Sequence, residues 1–150
     1  MAQSLAKLLV HVVYSTKNRT PLLSSVIHPK LYAYMVGILN TLNCVTLAIN
    51  GTEDHIHVLV SMSRNISAAK MVEDMKRGSS RWIKEQGENF RHFSWQNGYG
   101  IFSVSESRAA QVVEYIKTQE EHHRKLPFQE EFRQLLKKHG IEFDERYVWG

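Results

Sequence analysis

CVTLAINGTEDHIHVLVSM, residues 44–62, holds two β-rich runs, Cys44 to Asn50 and His55 to Met62, around the turn-forming quartet Gly51-Thr52-Glu53-Asp54. Apolar and β-branched runs on either side of a short polar turn are the pattern of a β-hairpin, so two adjacent antiparallel strands are expected here. Upstream, His28 to Leu42 carries Leu31, Tyr34, Met35, Ile38, Leu39 and Leu42 at the three-and-four spacing of an amphipathic helix, with Pro29 near its start. Downstream, Ser67 to about Gln86 repeats that pattern with Met71, Val72, Met75, Trp82 and Ile83, and Asn65 or Ser67 can cap it.

Farther out, Leu8 to Ser15 reads as a first strand, followed by a polar loop containing Asn18 and Pro21, and Ile101 to Ser105 as a short fourth one. A third helix is expected from about Arg108 to Lys125, its stripe formed by Ala109, Val112, Val113 and Ile116. Pro127 ends it before another amphipathic helix with Phe128, Phe132, Leu135 and Leu136, which closes at Gly140 and by default packs within the same chain. The aromatic tail from Ile141 to Trp149 suits an extra strand or an interface. Strand, helix, strand, strand, helix, strand is the order of an α+β, ferredoxin-like split βαβ sandwich: an antiparallel sheet with helices on one face, here with added C-terminal helices. Such a sheet can leave its other face free for a ligand, but the fold hosts many functions and decides none.

The composition agrees with one domain over residues 1–150: 43% hydrophobic and 23% charged residues can build a sizeable core and argue against disorder. The single Cys44 cannot make an intrachain disulfide or a cysteine-based metal site, which fits a reducing cytoplasm. The apolar run Leu8 to Tyr14 contains His11 and is far too short for a membrane span, so no membrane partner is expected. A net charge of +4 and a pI near 9.2 favour a polyanionic partner without requiring one.

Three groups of residues could carry chemistry. His55 and His57 lie two apart on a strand, so both imidazoles project from one face, although such a pair alone is more often a surface feature than a metal site. Tyr115 and Gln119 are four apart on the third helix, at the margin of its apolar stripe, where a half-buried aromatic and a solvated amide are the simpler reading. Lys70, Arg77, Arg81 and Lys84 form a basic stripe opposite the apolar face of the second helix, extended by Lys17 and Arg19; it suits phosphate contacts or a solvated charged face. Trp95 and Tyr99 could stack on unpaired bases, with core or loop packing the commoner use. Glu53 and Asp54 read as a solvated hairpin turn, His122 and His123 as helix-terminal cations or phosphate contacts, and no general base stands out.

Taken together, these residues resemble the HUH-type single-tyrosine transposases of small bacterial insertion sequences. His55-Ile56-His57 within NGTEDHIHVLV matches the histidine-hydrophobic-histidine signature, and Tyr115 with Gln119 within EYIKTQEEHHRK matches the tyrosine helix. VYSTKNR, MKRGSSRW and FSWQNGYG follow the same family in the same order, and the likeness covers about residues 5 to 125. The resemblance implies a DNA transposase that cleaves and rejoins single-stranded DNA through a 5′-phosphotyrosine, with Tyr115 as nucleophile. His55, His57 and Gln119 would be three neutral ligands to Mg2+ or Mn2+, whereas ligand softness alone points to zinc or manganese. It further implies a homodimer, whose histidine pair can be completed by the partner's tyrosine helix, and recognition of hairpin-containing element ends. A non-catalytic single-stranded nucleic-acid-binding module of the same fold and a metal-dependent phosphodiesterase are the alternatives.

Overall fold

The computed structural model describes residues 2–150. Its elements run β1 (Leu9–Ser15), α1 (His28–Thr41), β2 (Val45–Gly51), β3 (His55–Ser61), α2 (Ala68–Lys84), β4 (Gly100–Val104), α3 (Ala109–Lys117), α4 (Gln119–Lys125) and α5 (Phe128–Lys138). The four strands form one antiparallel sheet in the order β2-β3-β1-β4, so the hairpin of residues 44–62 forms as its alternation requires and β1 lies in the middle. The Ser67 hydroxyl caps α2 by accepting from the Lys70 N–H at 3.0 Å.

Strand alternation sorts the two faces of the sheet. Val12, Tyr14, Ile56, Val58 and Val60 point to the face covered by α1 and α2, where Leu31, Met35, Leu39, Met71, Met75 and Ile83 complete the main core. Trp95 belongs to that core, donating from Nε1 to the Ser79 hydroxyl at 2.9 Å, and is therefore not an exposed base-stacking platform. Tyr99 is partly exposed with the Lys76 ammonium over its ring.

The helices of the split βαβ unit lie on one face as expected, but the second face is not free. Leu59 and Ala48 pack against Ile116 of α3, and Val13 and Phe102 pack against Phe128, Phe132 and Leu136 of α5. The reason is compositional: this face of the strands still carries apolar side chains, and the stripe of α5 supplies two phenyl rings to bury with them. Gly100 allows the close approach, since a Cβ there would stand 2.6 Å from Phe132 Cε1. The tail forms no strand; Phe143, Val148 and Trp149 fold back on the α5 cluster, and the Gly98 N–H donates to the Gly150 carbonyl at 2.9 Å.

Candidate active site

The second face is where the polar residues collect. His11 on β1 and His55 and His57 on β3 all point into it, and all three are buried. Each β3 histidine is pinned through Nδ1. For His55 the partners are Asp54 Oδ1 at 2.6 Å and Thr52 Oγ1 at 2.9 Å; for His57 it is His11 Nε2 at 2.8 Å. Fixing one ring nitrogen aims the other, so both Nε2 atoms face a common centre. Asp54 is thus no solvated turn residue: the tight hairpin carries its carboxylate back onto the neighbouring imidazole. Glu53 is also engaged, accepting from His123 Nε2 at 3.0 Å.

Tyr115 and Gln119 arrive on the chain that crosses this face, but not on one continuous helix. Asn50 of β2 donates from Nδ2 to the Ile116 and Lys117 carbonyls at 3.0 and 3.1 Å, and the backbone leaves helical geometry at Thr118 (φ −103°, ψ 26°). α4 therefore begins at Gln119, which is fully buried, with Oε1 3.2 Å from His55 Nε2 and Nε2 3.4 Å from the Tyr115 carbonyl. The Tyr115 ring stacks on His122 with centroids 4.7 Å apart and meets His57 edge-on at 5.8 Å.

The centre of the site is Glu131 of α5. One carboxylate oxygen lies 3.1 Å from His57 Nε2 and 3.4 Å from His55 Nε2, and the other accepts a hydrogen bond from the Tyr115 hydroxyl. Only 4% of this residue is exposed. A buried carboxylate survives only when paired and hydrogen-bonded, and Glu131 is paired on both oxygens. Glu131 occupies one of the stripe positions of its helix, three after Phe128 and one before Phe132, and a charge on an apolar face was the available sequence signal. His11 carried the same kind of signal as an imidazole inside the apolar run Leu8 to Tyr14.

The electrostatics follow. Burial alone would raise the Glu131 carboxyl, but hydrogen bonds from His55 and His57 and their charge hold it far below the usual range. Burial works against a charge on His55, yet the Asp54 and Glu131 hydrogen bonds raise it to about 9. Burial and the His57 neighbour lower His11 to about 3, so it acts as a neutral hydrogen-bonding group. Burial and the Glu131 charge push the Tyr115 phenol upward, so its oxygen needs a proton acceptor before it can act as a nucleophile.

A divalent cation fits this donor set. His55 Nε2, His57 Nε2 and a Glu131 oxygen lie within 4.8 Å of one another, with Gln119 Oε1 alongside. The three expected neutral ligands are brought together, and a carboxylate is added to them. Bound here, a cation would face one negative ligand, and the oxygen content becomes more hospitable to a hard ion.

The basic residues lie elsewhere. The helical pattern places Lys70, Arg77, Arg81 and Lys84 on the outer side of α2, but α2 covers the opposite face of the sheet from Tyr115. Lys70 pairs with Asp74 at 3.0 Å and Arg77 with Glu73, while Arg81 and Lys84 are exposed. Arg19 donates to the Trp149 carbonyl at 3.0 Å, and Lys17 beside it is exposed.

Residues 4–119 match the family described as "Transposase IS200 like". The chain belongs to the IS200-like transposase family. The matched span takes in His55, His57, Tyr115 and Gln119, and ends twelve residues before Glu131. The fold of this family member is also that of a Deinococcus radiodurans R1 protein assigned as a transposase: 22% identity, TM-score 0.62, covering 79% of this chain and 98% of that one. A REP-associated tyrosine transposase bound to a REP hairpin is similar at 11% identity and TM-score 0.56, covering 79% of this chain and 70% of that one. Among curated protein sequences none matches. Among the described residues, no helix is long and apolar enough to cross a membrane.

Proposed function

We propose that this transposase-family chain cleaves and rejoins single-stranded DNA with Tyr115 as nucleophile. The supporting observation is the hydrogen bond from the Tyr115 hydroxyl to Glu131, whose other oxygen meets both histidines. In the forward step the Tyr115 oxygen bonds to phosphorus while the bond from phosphorus to the 3′-oxygen breaks. Glu131 orients the phenol by accepting its hydrogen bond, the phenolic proton passes to solvent as the new bond forms, and the departing oxygen takes a proton from solvent to become a 3′-hydroxyl. Energy is conserved in the phosphotyrosine, so attack by another strand's 3′-hydroxyl runs the same step backwards, and the phenolic oxygen regains its proton and its hydrogen bond to Glu131.

His55, His57, Gln119 and Glu131 would hold Mg2+ or Mn2+, which when bound supplies Lewis-acid polarisation of the phosphate and the leaving oxygen. Asp54 and His11 keep the two imidazoles aimed, and Phe128 closes over His55 with ring centroids 4.7 Å apart. Tyr115 and the histidine pair meet within one chain, so this reading needs no second copy to complete the site, whether or not the protein dimerises. Exposed Lys17, Arg81 and Lys84 are proposed contacts for DNA phosphates outside the cleft, and the hairpin held by the structural neighbour makes hairpin DNA the natural probe. A binding module using an open sheet face is disfavoured by α3 and α5 lying on that face.

The test is formation of a covalent adduct. Incubated with single-stranded hairpin DNA and Mn2+, the protein should give a slower band on a denaturing gel, absent for Tyr115→Phe. An adduct of equal yield in that variant would overturn the assignment of the nucleophile.

A further inference from the structure

Beside the Tyr115–Glu131 hydrogen bond, between α3, α5 and β4, lies a cavity of about 650 Å³. That is within the roughly 300–1,000 Å³ of small-ligand sites. Tyr115 and Glu131 are part of its lining, so a ligand there can reach the Tyr115 oxygen. The other surroundings of the Tyr115 ring are occupied: His122 stacks on it and His57 meets its edge.

Three groups within the lining bear on its occupant. Val104, Val112 and Leu135 offer apolar surface suited to the face of a base. Gln111 on α3 and Gln134 on α5 add two exposed carboxamides, the group that pairs with base edges. Arg108, immediately before α3, and Lys138, the last residue of α5, are both exposed and neither is drawn into an ion pair among the described residues, so both can meet a phosphate. The one carboxylate in the lining, Glu131, is already engaged by Tyr115 and the histidines. Cations, an apolar wall and paired amides beside a phosphate-attacking group describe a nucleotide better than a lipid or a peptide.

We propose that this cavity is a nucleotide subsite: it takes one unpaired nucleotide joined to the phosphate that Tyr115 attacks. Its base lies against Val104, Val112 and Leu135 and its phosphate meets Arg108 and Lys138. This assignment rests on the strand-transfer reading for the identity of the occupant. It also explains where the cationic contacts nearest the chemistry are, since the α2 stripe lies on the opposite face of the sheet.

The experiment titrates methyl-labelled protein, without divalent cation, with each of the four deoxynucleoside 5′-monophosphates and with inorganic phosphate, reading the Val104, Val112 and Leu135 methyl signals by NMR. Saturable shifts are expected with at least one nucleotide and not with phosphate. Gln111→Trp, an exposed position that a large ring would turn into a plug, should remove them, and Arg108→Ala should weaken binding at least fivefold. No saturable shift with any nucleotide, equal shifts with phosphate alone, or unchanged binding in both variants would overturn the subsite. The readout needs no cleavage. A Tyr115-dependent adduct with no nucleotide shifts sinks the subsite and spares strand transfer; nucleotide shifts without any adduct sink strand transfer and leave a nucleotide pocket.

Discussion

The two faces of the sheet are made by the same strands and differ by one residue of register, yet they are built on opposite principles. Val12, Tyr14, Ile56, Val58 and Val60 meet α1 and α2 mainly through apolar contact, with the Lys76 ammonium over the Tyr14 ring as one polar addition. One residue out of step, His11, His55 and His57 meet Gln119 and Glu131 in a layer nearly as buried, where stability depends on every polar atom finding a partner. A non-directional core tolerates exchange and carries no chemistry. The hydrogen-bonded layer holds its groups in fixed directions and pairs Tyr115, the proposed nucleophile, with Glu131.

The sharpest way to break this comparison is Tyr115→Phe. It removes one oxygen from the polar layer and nothing from its packing, so adduct formation should fall by at least about 10³-fold, as for loss of an activated nucleophile. The thermal midpoint should fall by about 2–12 °C, because the lost hydrogen bond is worth about 1–3 kcal/mol and each kcal/mol is about 2–4 °C at this chain length. A melt and a denaturing gel on one preparation check both. Leu31→Ala is the converse experiment on the apolar face. Leu31 is fully buried, so a cost of about 2–5 kcal/mol of stability is expected from lost transfer energy and the cavity left behind. Denaturant unfolding measures it, while adduct yield per folded molecule stays at the starting level.

These two variants also mark what could be seen in the sequence. The apolar face was legible throughout: alternation placed both hairpin strands, helical spacing placed α1 and α2, and the order of elements gave the sheet. The polar layer was legible only where a motif named it. His55, His57, Tyr115 and Gln119 could be paired across the chain by resemblance, and the structure does bring them together. His11 and Glu131 could not be, because each is a polar residue whose partners come from distant segments, β3 for one and β3 with α3 for the other. The break at Thr118 is likewise a tertiary effect, with Asn50 of β2 taking the last carbonyls of α3. The basic stripe of α2 shows the remaining limit: helical periodicity tells which side of a helix is polar, not on which face of the sheet that helix will lie.

Glu131→Gln narrows the comparison to a single charge. The amide keeps the shape of the side chain but is a weaker hydrogen-bond acceptor for the phenol and removes the negative ligand from the centre. Adduct formation should slow about 10²-fold, equivalent to about 2.7 kcal/mol at the transition state. Single-turnover kinetics with hairpin DNA measure the rate. An unchanged rate would mean that the Tyr115–Glu131 hydrogen bond is packing and not chemistry, and the polar layer would lose its claimed acceptor.

The smallest expected effect comes from His11→Phe, and it tests whether the polar layer works by direction. His11 touches neither Tyr115's oxygen nor the shared centre; its one hydrogen bond goes from Nε2 to His57 Nδ1 at 2.8 Å, and its ring packs near Phe102 and Tyr115 at 6.2 Å. A phenyl ring keeps that aromatic packing and removes only the constraint on the His57 tautomer and orientation. Outer partners of this kind are worth about 10–100-fold in cation affinity. Mn2+ binding, followed by calorimetry, should therefore weaken by that factor in His11→Phe, and adduct yield should recover when Mn2+ is raised to match. His11→Asn can still offer a hydrogen bond and should sit between the two. If both variants bind Mn2+ as tightly as the unaltered chain, then His57 is held by packing alone, and the two faces of the sheet are more alike than their chemistry suggests.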